Sequence, residues 1–322
     1  MFRAAVVTSF LLAVSAVAQQ QPPADGPSIK VGAQIFLDFT RSDSASAFNV
    51  ARAYINVNGT INKLLSFRVT PDIARETGSG SSLAGSQEYR LKFAYLQLGL
   101  DQWLSKGSWV RGGLVPLLWN DYEESLYHYR FQGPVMVDRE GFSGPADYGV
   151  AMRYALPREL GDVAAGIFNG EGYNRAETND HKAMMLRVSL QPVKGWRVSG
   201  FVNNDSDANG QPRDRLIGQL SYEHPRVRAA VDLLSANDHG TKARGYSVWA
   251  TPKLAGGWEA LLRRDVLEPD SRSDEKKTRD IEGIAYWIPL QGGVSSALMI
   301  DRDSTRGTTR LTTYGLKVLV SF

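Results

Sequence analysis

From Lys30 to the last residue, apolar side chains recur at every second position, and no helical apolar period is sustained for a dozen residues. Segments such as VGAQIFLDF, LSFRVT, WRVSGFVNN, RVRAAVDLL and TYGLKVLVSF alternate apolar residues with Gly, Ser, Thr, Asn, Arg or Asp. Such alternation places one face of a strand against an apolar medium and the other against a polar one. About sixteen strands are predicted, beginning near Val31, Val50, Leu65, Tyr89, Val110, Tyr148, Val163, Ala183, Trp196, Leu216, Val227, Tyr246, Trp258, Ile281, Val294 and Leu311.

The connections alternate in kind. GTINK, LPRELGD, QPVKG, EHPR, TPKLAGG and IPLQGG read as tight turns, because Pro cannot continue a ladder and Gly supplies positive φ. Between them, TRSDSASAF, RETGSGSSLAGSQE, NGEGYNRAETNDH, NDSDANGQPRD, SANDHGTK and EPDSRSDEKKT read as longer polar loops. Short turns on one side and long loops on the other are the asymmetry of an outer-membrane barrel, with periplasmic turns and extracellular loops. The predicted fold class is all-β, a closed antiparallel transmembrane β-barrel, since closure removes the two edges that so long a meander would expose. Trp103, Trp109, Trp196, Trp258 and Trp287 fall next to the proposed short turns, where an interfacial girdle needs amphipathic rings.

Composition narrows the partners. The 322 residues carry 37 Lys+Arg against 34 Asp+Glu, a net charge of +3 that is too small to imply a nucleic-acid partner. A mean hydropathy of −0.27 excludes a bundle of membrane helices but not a barrel, whose strands average lipid-facing and lumen-facing residues. With no Cys, disulfide scaffolds, thiolate metal sites and cysteine nucleophiles are excluded. Residues 1–18 have a basic start at Arg3, an apolar core and an Ala16-Val17-Ala18 cleavage site, which reads as a secretory signal peptide. Residues 19–29 follow as a short periplasmic segment and 30–322 as the barrel. Tyr314, Leu316, Val318, Val320 and Phe322 share one face of the last strand, and Phe322 resembles the signal read by the bacterial barrel assembly machinery.

Little points to an enzyme. His128, His181, His224 and His239 are scattered, without metal-ligand spacing, and no GxSxG, HExxH or phosphate-cradling loop occurs. No cofactor is implied. Channel chemistry has more support, because the inward positions hold Arg52, Arg68, Arg153, Arg187, Arg197, Arg228 and Arg263 among Tyr54, Asn56, Ser66, Thr70, Ser199, Asn203 and Gln219. Guanidinium groups lining a pore attract anions and suit phosphate or carboxylate oxygens. The third loop, 118–147, is the longest connection, as in porins where it folds into the barrel. Its Asp121, Glu123 and Glu124 are expected to face Arg130 and Arg139 across a constriction, setting a transverse field.

FNVARAYINVNGTINKLLSFRVTPDIA, YLQLGL followed by VRGGLVPLLWNDYEE, and GIFNGEGYN together resemble blocks of the phosphate-selective porin O and P family of outer-membrane channels. The resemblance covers most of Phe48 to Arg187. It implies a sixteen-stranded barrel, a homotrimer, and passage of phosphate-like or other small anions. Phosphate specificity in that family rests on lysine clusters in the constriction, whereas residues 118–147 here hold arginines and no lysine. The expected function is thus an outer-membrane porin for passive diffusion of small hydrophilic solutes with moderate anion preference. A plugged structural or adhesive barrel and an outer-membrane barrel hydrolase are the alternatives.

Overall fold

A computed structural model describes residues 26–76, 82–290 and 294–322. The expected signal peptide and its cleavage site lie outside these residues. Sixteen antiparallel strands close into a single barrel in chain order. They are β1 (Ser28–Arg41), β2 (Ser46–Thr60), β3 (Leu65–Arg75), β4 (Gln87–Gly99), β5 (Trp109–Pro116), β6 (Ala146–Ala155), β7 (Gly161–Phe168) and β8 (Ala183–Val193), then β9 (Trp196–Asn204), β10 (Arg213–His224), β11 (Val227–Asp238), β12 (Thr241–Pro252), β13 (Trp258–Glu268), β14 (Lys277–Ile288), β15 (Ser295–Arg306) and β16 (Arg310–Ser321). Two short helices, α1 (Leu118–Leu126) and α2 (Met136–Arg139), lie between β5 and β6.

Every expected strand is present. The predicted turns that lie wholly within the described residues are tight, IPLQGG falling partly outside them, but two predicted loops are largely strand: TRSDSASAF turns over Ser42–Ala45 alone and SANDHGTK over His239–Gly240. Their polar residues continue the ladder past the apolar band, so polarity there marks the projecting rim of the barrel and not a break in pairing.

The seam between β1 and β16 is paired from Gln34↔Ser321 to Arg41↔Tyr314. Phe322 extends it by exchanging two backbone hydrogen bonds of 3.0 Å with Ala33. Gly32 is required by this contact, because a Cβ there would stand 2.3 Å from the Phe322 carbonyl oxygen. Gly32→Val is expected to destabilise the closed barrel by about 1–3 kcal/mol, the usual scale for overpacking. The check is the temperature at which the folded band disappears on heat-modifiability gels, and an unchanged temperature would contradict the seam geometry.

Outward positions are apolar, as in Ile29, Val31, Leu98, Leu220 and Leu316, all exposed. Near the turn end, Trp196 lies across from Tyr222 with ring centroids 4.7 Å apart, and Trp258 across from Tyr286 at 5.1 Å. These outward pairs form an interfacial girdle, which Trp103 joins as an exposed ring. Trp109 and Trp287 do not belong to it. Both share the lumen-facing alternation of their strands and pack against the interior cluster. With its apolar outer band and closed sheet, the chain has the architecture of an outer-membrane barrel.

Candidate functional site

The connection between β5 and β6, termed L3 below, folds into the barrel. Trp119, Tyr127, Tyr129, Phe131, Val135, Met136 and Val137 are all buried, and the hydrophobic core of the molecule is the contact between L3 and the inner wall. Trp119 packs on Phe201 of β9 with ring centroids 5.7 Å apart, Tyr127 on Trp249 of β12 at 5.3 Å, and Tyr129 and Phe131 on Trp287 of β14 at 5.8 and 5.9 Å. Burial of these rings favours the position of L3 inside the barrel.

Polar contacts fix the placement along the same wall. Arg139 is paired with Asp265 of β13, and Lys277 of β14 reaches Glu140 at 2.6 Å. Gln132 donates to Asp301 at 3.0 Å and to Asp303 at 3.3 Å on β15. Arg263 donates to the Pro134 carbonyl at 3.1 Å, and Arg215 to the Phe142 carbonyl at 2.8 Å. Tyr122 shares a 2.6 Å hydrogen bond with Ser199, beneath Arg187, whose guanidinium lies 4.5 Å from the Tyr122 ring centre. L3 is therefore bound chiefly to β8–β15, and the strands across the lumen from those contacts are β1–β6.

The wall across from L3 is cationic. Arg52 and Arg90 both reach one carboxylate oxygen of Asp72 at 3.2 Å. Farther along, Lys92 donates to the Tyr54 hydroxyl at 3.3 Å and lies over the Tyr54 ring at 4.5 Å. Arg68 donates to Asn56 at 2.8 Å and Thr70 at 3.0 Å. Toward the turns, Arg111 binds Gln97 at 2.8 Å and rests 3.9 Å from the Trp109 ring centre. Among the described residues no carboxylate lies within ion-pair distance of Arg68 or Lys92. Asp72 thus holds two of the five cations on β2–β5, and Glu88 stands two positions from Arg90 on the same face of β4.

L3 supplies the opposing acids. In α1, Asp121 and Glu124 are three residues apart and occupy one helix face. Asp121 lies 3.6 Å from Arg111, and Glu124 accepts from Arg130 at 2.9 Å. Asp138 also pairs with Arg130, at 3.4 Å. Glu123 projects from the other face. It is 2% exposed, accepts from the Trp119 indole at 2.8 Å, and does not border the opening. Burial, reinforced by nearby Asp232, pushes the Glu123 carboxyl well above the usual carboxylate range. A raised carboxyl pKa contributes stability that is present in acid and declines as pH rises toward the folded-state value. Glu123→Gln is therefore expected to flatten the pH dependence of urea-unfolding midpoints above pH 5. An identical slope in both proteins would remove Glu123 from the account.

The remaining arginines singled out in the sequence fall elsewhere. Arg130 joins L3 to its own acids, so it does not face them across the gap, and Arg139 is turned away toward Asp265. At the turn end, Arg153 and Arg187 share Asp162, the former at 2.9 Å, and Arg197 binds Gln191 at 2.9 Å. Arg153 and Arg197 line a hollow of about 580 Å³ with Lys106, Arg158 and Ser125. Sequence reading missed Arg90, Lys92 and Arg111. Lys92 sits at a β-bulge, where the register with β3 passes from Thr70↔Phe93 to Pro71↔Leu91, and the bulge breaks the alternation that would have revealed it. The signal present for Arg111 was its alternation with Trp109 and Val115.

This arrangement, a barrel narrowed by an inserted loop between β5 and β6, can be set beside solved structures. The anion-selective porin of Comamonas acidovorans superposes with a TM-score of 0.67 at 13% identity, covering 92% of this chain and all of that one. A loop-deleted OmpT, an outer membrane protein of Vibrio cholerae, gives 0.67 at 15% identity over 92% of this chain and 100% of its own. Salmonella typhi OmpF gives 0.63 at 11% identity, covering 94% and 100%. The chain has the fold of an outer-membrane porin. No protein-family model matches it, and no curated protein does.

Proposed function

We propose that this barrel is a passive diffusion channel of the outer membrane, open to small hydrophilic solutes and preferring anions. The observation that carries the reading is the uneven charge of the lumen: Arg52, Arg68, Arg90, Lys92 and Arg111 on one wall against Asp72 and Glu88, with Asp121, Glu124 and Asp138 on L3. An anion passing along β2–β5 meets a succession of donors on rigid strands, two of them without a carboxylate partner. The acids of L3 orient a dipolar solute as it passes.

Phosphate-like anions are the solute class within this reading. L3 offers no lysine, but β4 supplies Lys92 on the lumen wall, largely buried against Tyr54, and Arg68 adds a fork suited to phosphate oxygens. At the turn end, Arg153, Arg187 and Arg197 extend the cationic path, and Phe322 serves as the assembly signal. We further propose a homotrimer, the form recorded for one Vibrio cholerae OmpT structure. Three of the four histidines have contacts that give no support to a hydrolase: His128 meets the Ser125 carbonyl at 3.0 Å, His224 stacks on Tyr222, and His239 pairs with Asp207 at the rim.

The test is current across a planar bilayer holding the purified protein under a salt gradient. Conductance steps in threes with an anion-favouring reversal potential support the reading. A cation-favouring reversal overturns the selectivity, and silence from a folded barrel favours the plugged alternative.

A further inference from the structure

The lipid-facing band is not uniform around the barrel. An apolar belt about 25 Å tall, crossed by strands rising about 3.3 Å per residue at a tilt of about 40°, calls for roughly five outward side chains per strand. On β16 and its end these are Tyr314, Leu316, Val318, Val320 and Phe322. On β15 only Leu298 and Ile300 lie between Ser296 and Arg302. On β14 the run Ile288, Tyr286, Ile284 ends at Glu282, and on β13 Arg264 interrupts it after Leu262. The Arg264 and Glu282 side chains are 58% and 57% exposed, and both point outward.

Toward the loop end this gap opens onto a basic face. The outward side chains here are Arg244, Arg264, Arg302, Arg306 and Arg310 with the acids Glu268, Asp280 and Glu282, and Lys276 reaches Glu268 from a loop that also carries Asp270, Arg272, Asp274 and Glu275. The deeper members are paired, Arg264 with Asp280 at 3.6 Å and Arg302 with Glu282 at 3.3 Å. Arg306 and Arg310 are different. They stand directly across from each other in the β15–β16 register, both exposed, and among the described residues neither has a carboxylate within ion-pair distance. Like charges in opposed positions repel, and the repulsion is relieved when an anion bridges them.

We infer that the outer face of β13–β16 is a binding site for a phosphate-bearing lipid headgroup of the outer leaflet. The narrowed apolar belt lets the headgroup region descend, and the Arg306–Arg310 pair, with Arg302 behind it on the same strand face, clasps the phosphate. The unpaired charges of Arg306 and Arg310 select an anionic headgroup over a second copy of this chain, whose own face here would carry the same two arginines. The inference rests on membrane placement alone, so a barrel that conducts nothing still tests it.

Native mass spectrometry of the full barrel in neutral detergent, with bisphosphorylated lipid A as the probe, measures the bound population. Arg306→Gln with Arg310→Gln breaks no ion pair and is expected to lower that population about tenfold, the loss of two guanidinium contacts to one phosphate. Monophosphorylated lipid A is expected to bind the unaltered protein more weakly than the bisphosphorylated form. Heat-modifiable migration confirms that the variant is folded. If it fails that check, Arg310→Lys replaces it, keeping the charge and losing the fork, with weakened binding again expected. Equal lipid binding by variant and unaltered protein overturns the inference. So does loss of oligomer mass with lipid per protomer unchanged, which assigns the face to a second copy.

Discussion

With glutamates in place of both Arg68 and Lys92, the channel is expected to reverse its preference and favour cations. The two positions change from a combined charge of +2 to −2 at a part of the wall where, among the described residues, no carboxylate lies within ion-pair distance of them. Inside a water-filled but protein-walled opening, such charges act at a few ångströms with little screening. Arg153 and Arg187, by contrast, already share Asp162, and replacing them by Ala is expected to lower anion preference without reversing it. The measurement is the reversal potential under a tenfold KCl gradient. A reversal potential that keeps its sign after the double exchange would remove the β3–β4 cations from the ion path.

The second large effect is geometric. Replacing residues 119–144 by a short Gly-Ser link is expected to raise single-channel conductance several-fold, because L3 and its aromatic core occupy the half of the lumen next to β8–β15. The cost is stability: the shortened protein loses the burial of Trp119, Tyr127, Tyr129 and Phe131, and each large ring removed from a packed site is worth about 3–5 kcal/mol. The loop-free barrel is therefore expected to convert to its unfolded band at a lower temperature while conducting better. Unchanged conductance in a folded loop-deleted barrel would show that the narrowest passage lies elsewhere, with the turn-end hollow around Arg153 and Arg197 as the next place to look.

The strands were legible because period-two alternation survives wherever lipid covers one face and water the other. Sixteen starts, the tight turns and the inserted third loop follow from that rule and from loop length. The rule fails where the medium changes. Ser42–Ala45 and His239–Gly240 are tight turns flanked by polar strand, since strands that project beyond the bilayer no longer need an apolar face. Trp109 and Trp287 read as girdle residues, yet L3 brings apolar surface into the lumen and gives inward rings a partner.

The site was legible by residue type more than by position. A run such as DYEE looks like one acidic patch in a sequence, but helix α1 turns about 100° per residue and sends Glu123 into the core while Asp121 and Glu124 stay at the opening. Lys92 was hidden by a bulge, and Arg139 by a partner 126 positions away on β13. Long-range pairing of this kind leaves no local signal, because each member alone looks like an ordinary solvated charge.

The anchoring of L3 separates two properties that a narrower tube would have to settle together. The loop is fastened through Arg139, Gln132, Glu140 and its rings to β9–β15, whereas the cations facing the opening belong to β2–β5. Aperture and ionic taste are thus written in different stretches of the chain. Charges on β2–β5 can therefore be exchanged without touching the contacts that hold L3 against β9–β15.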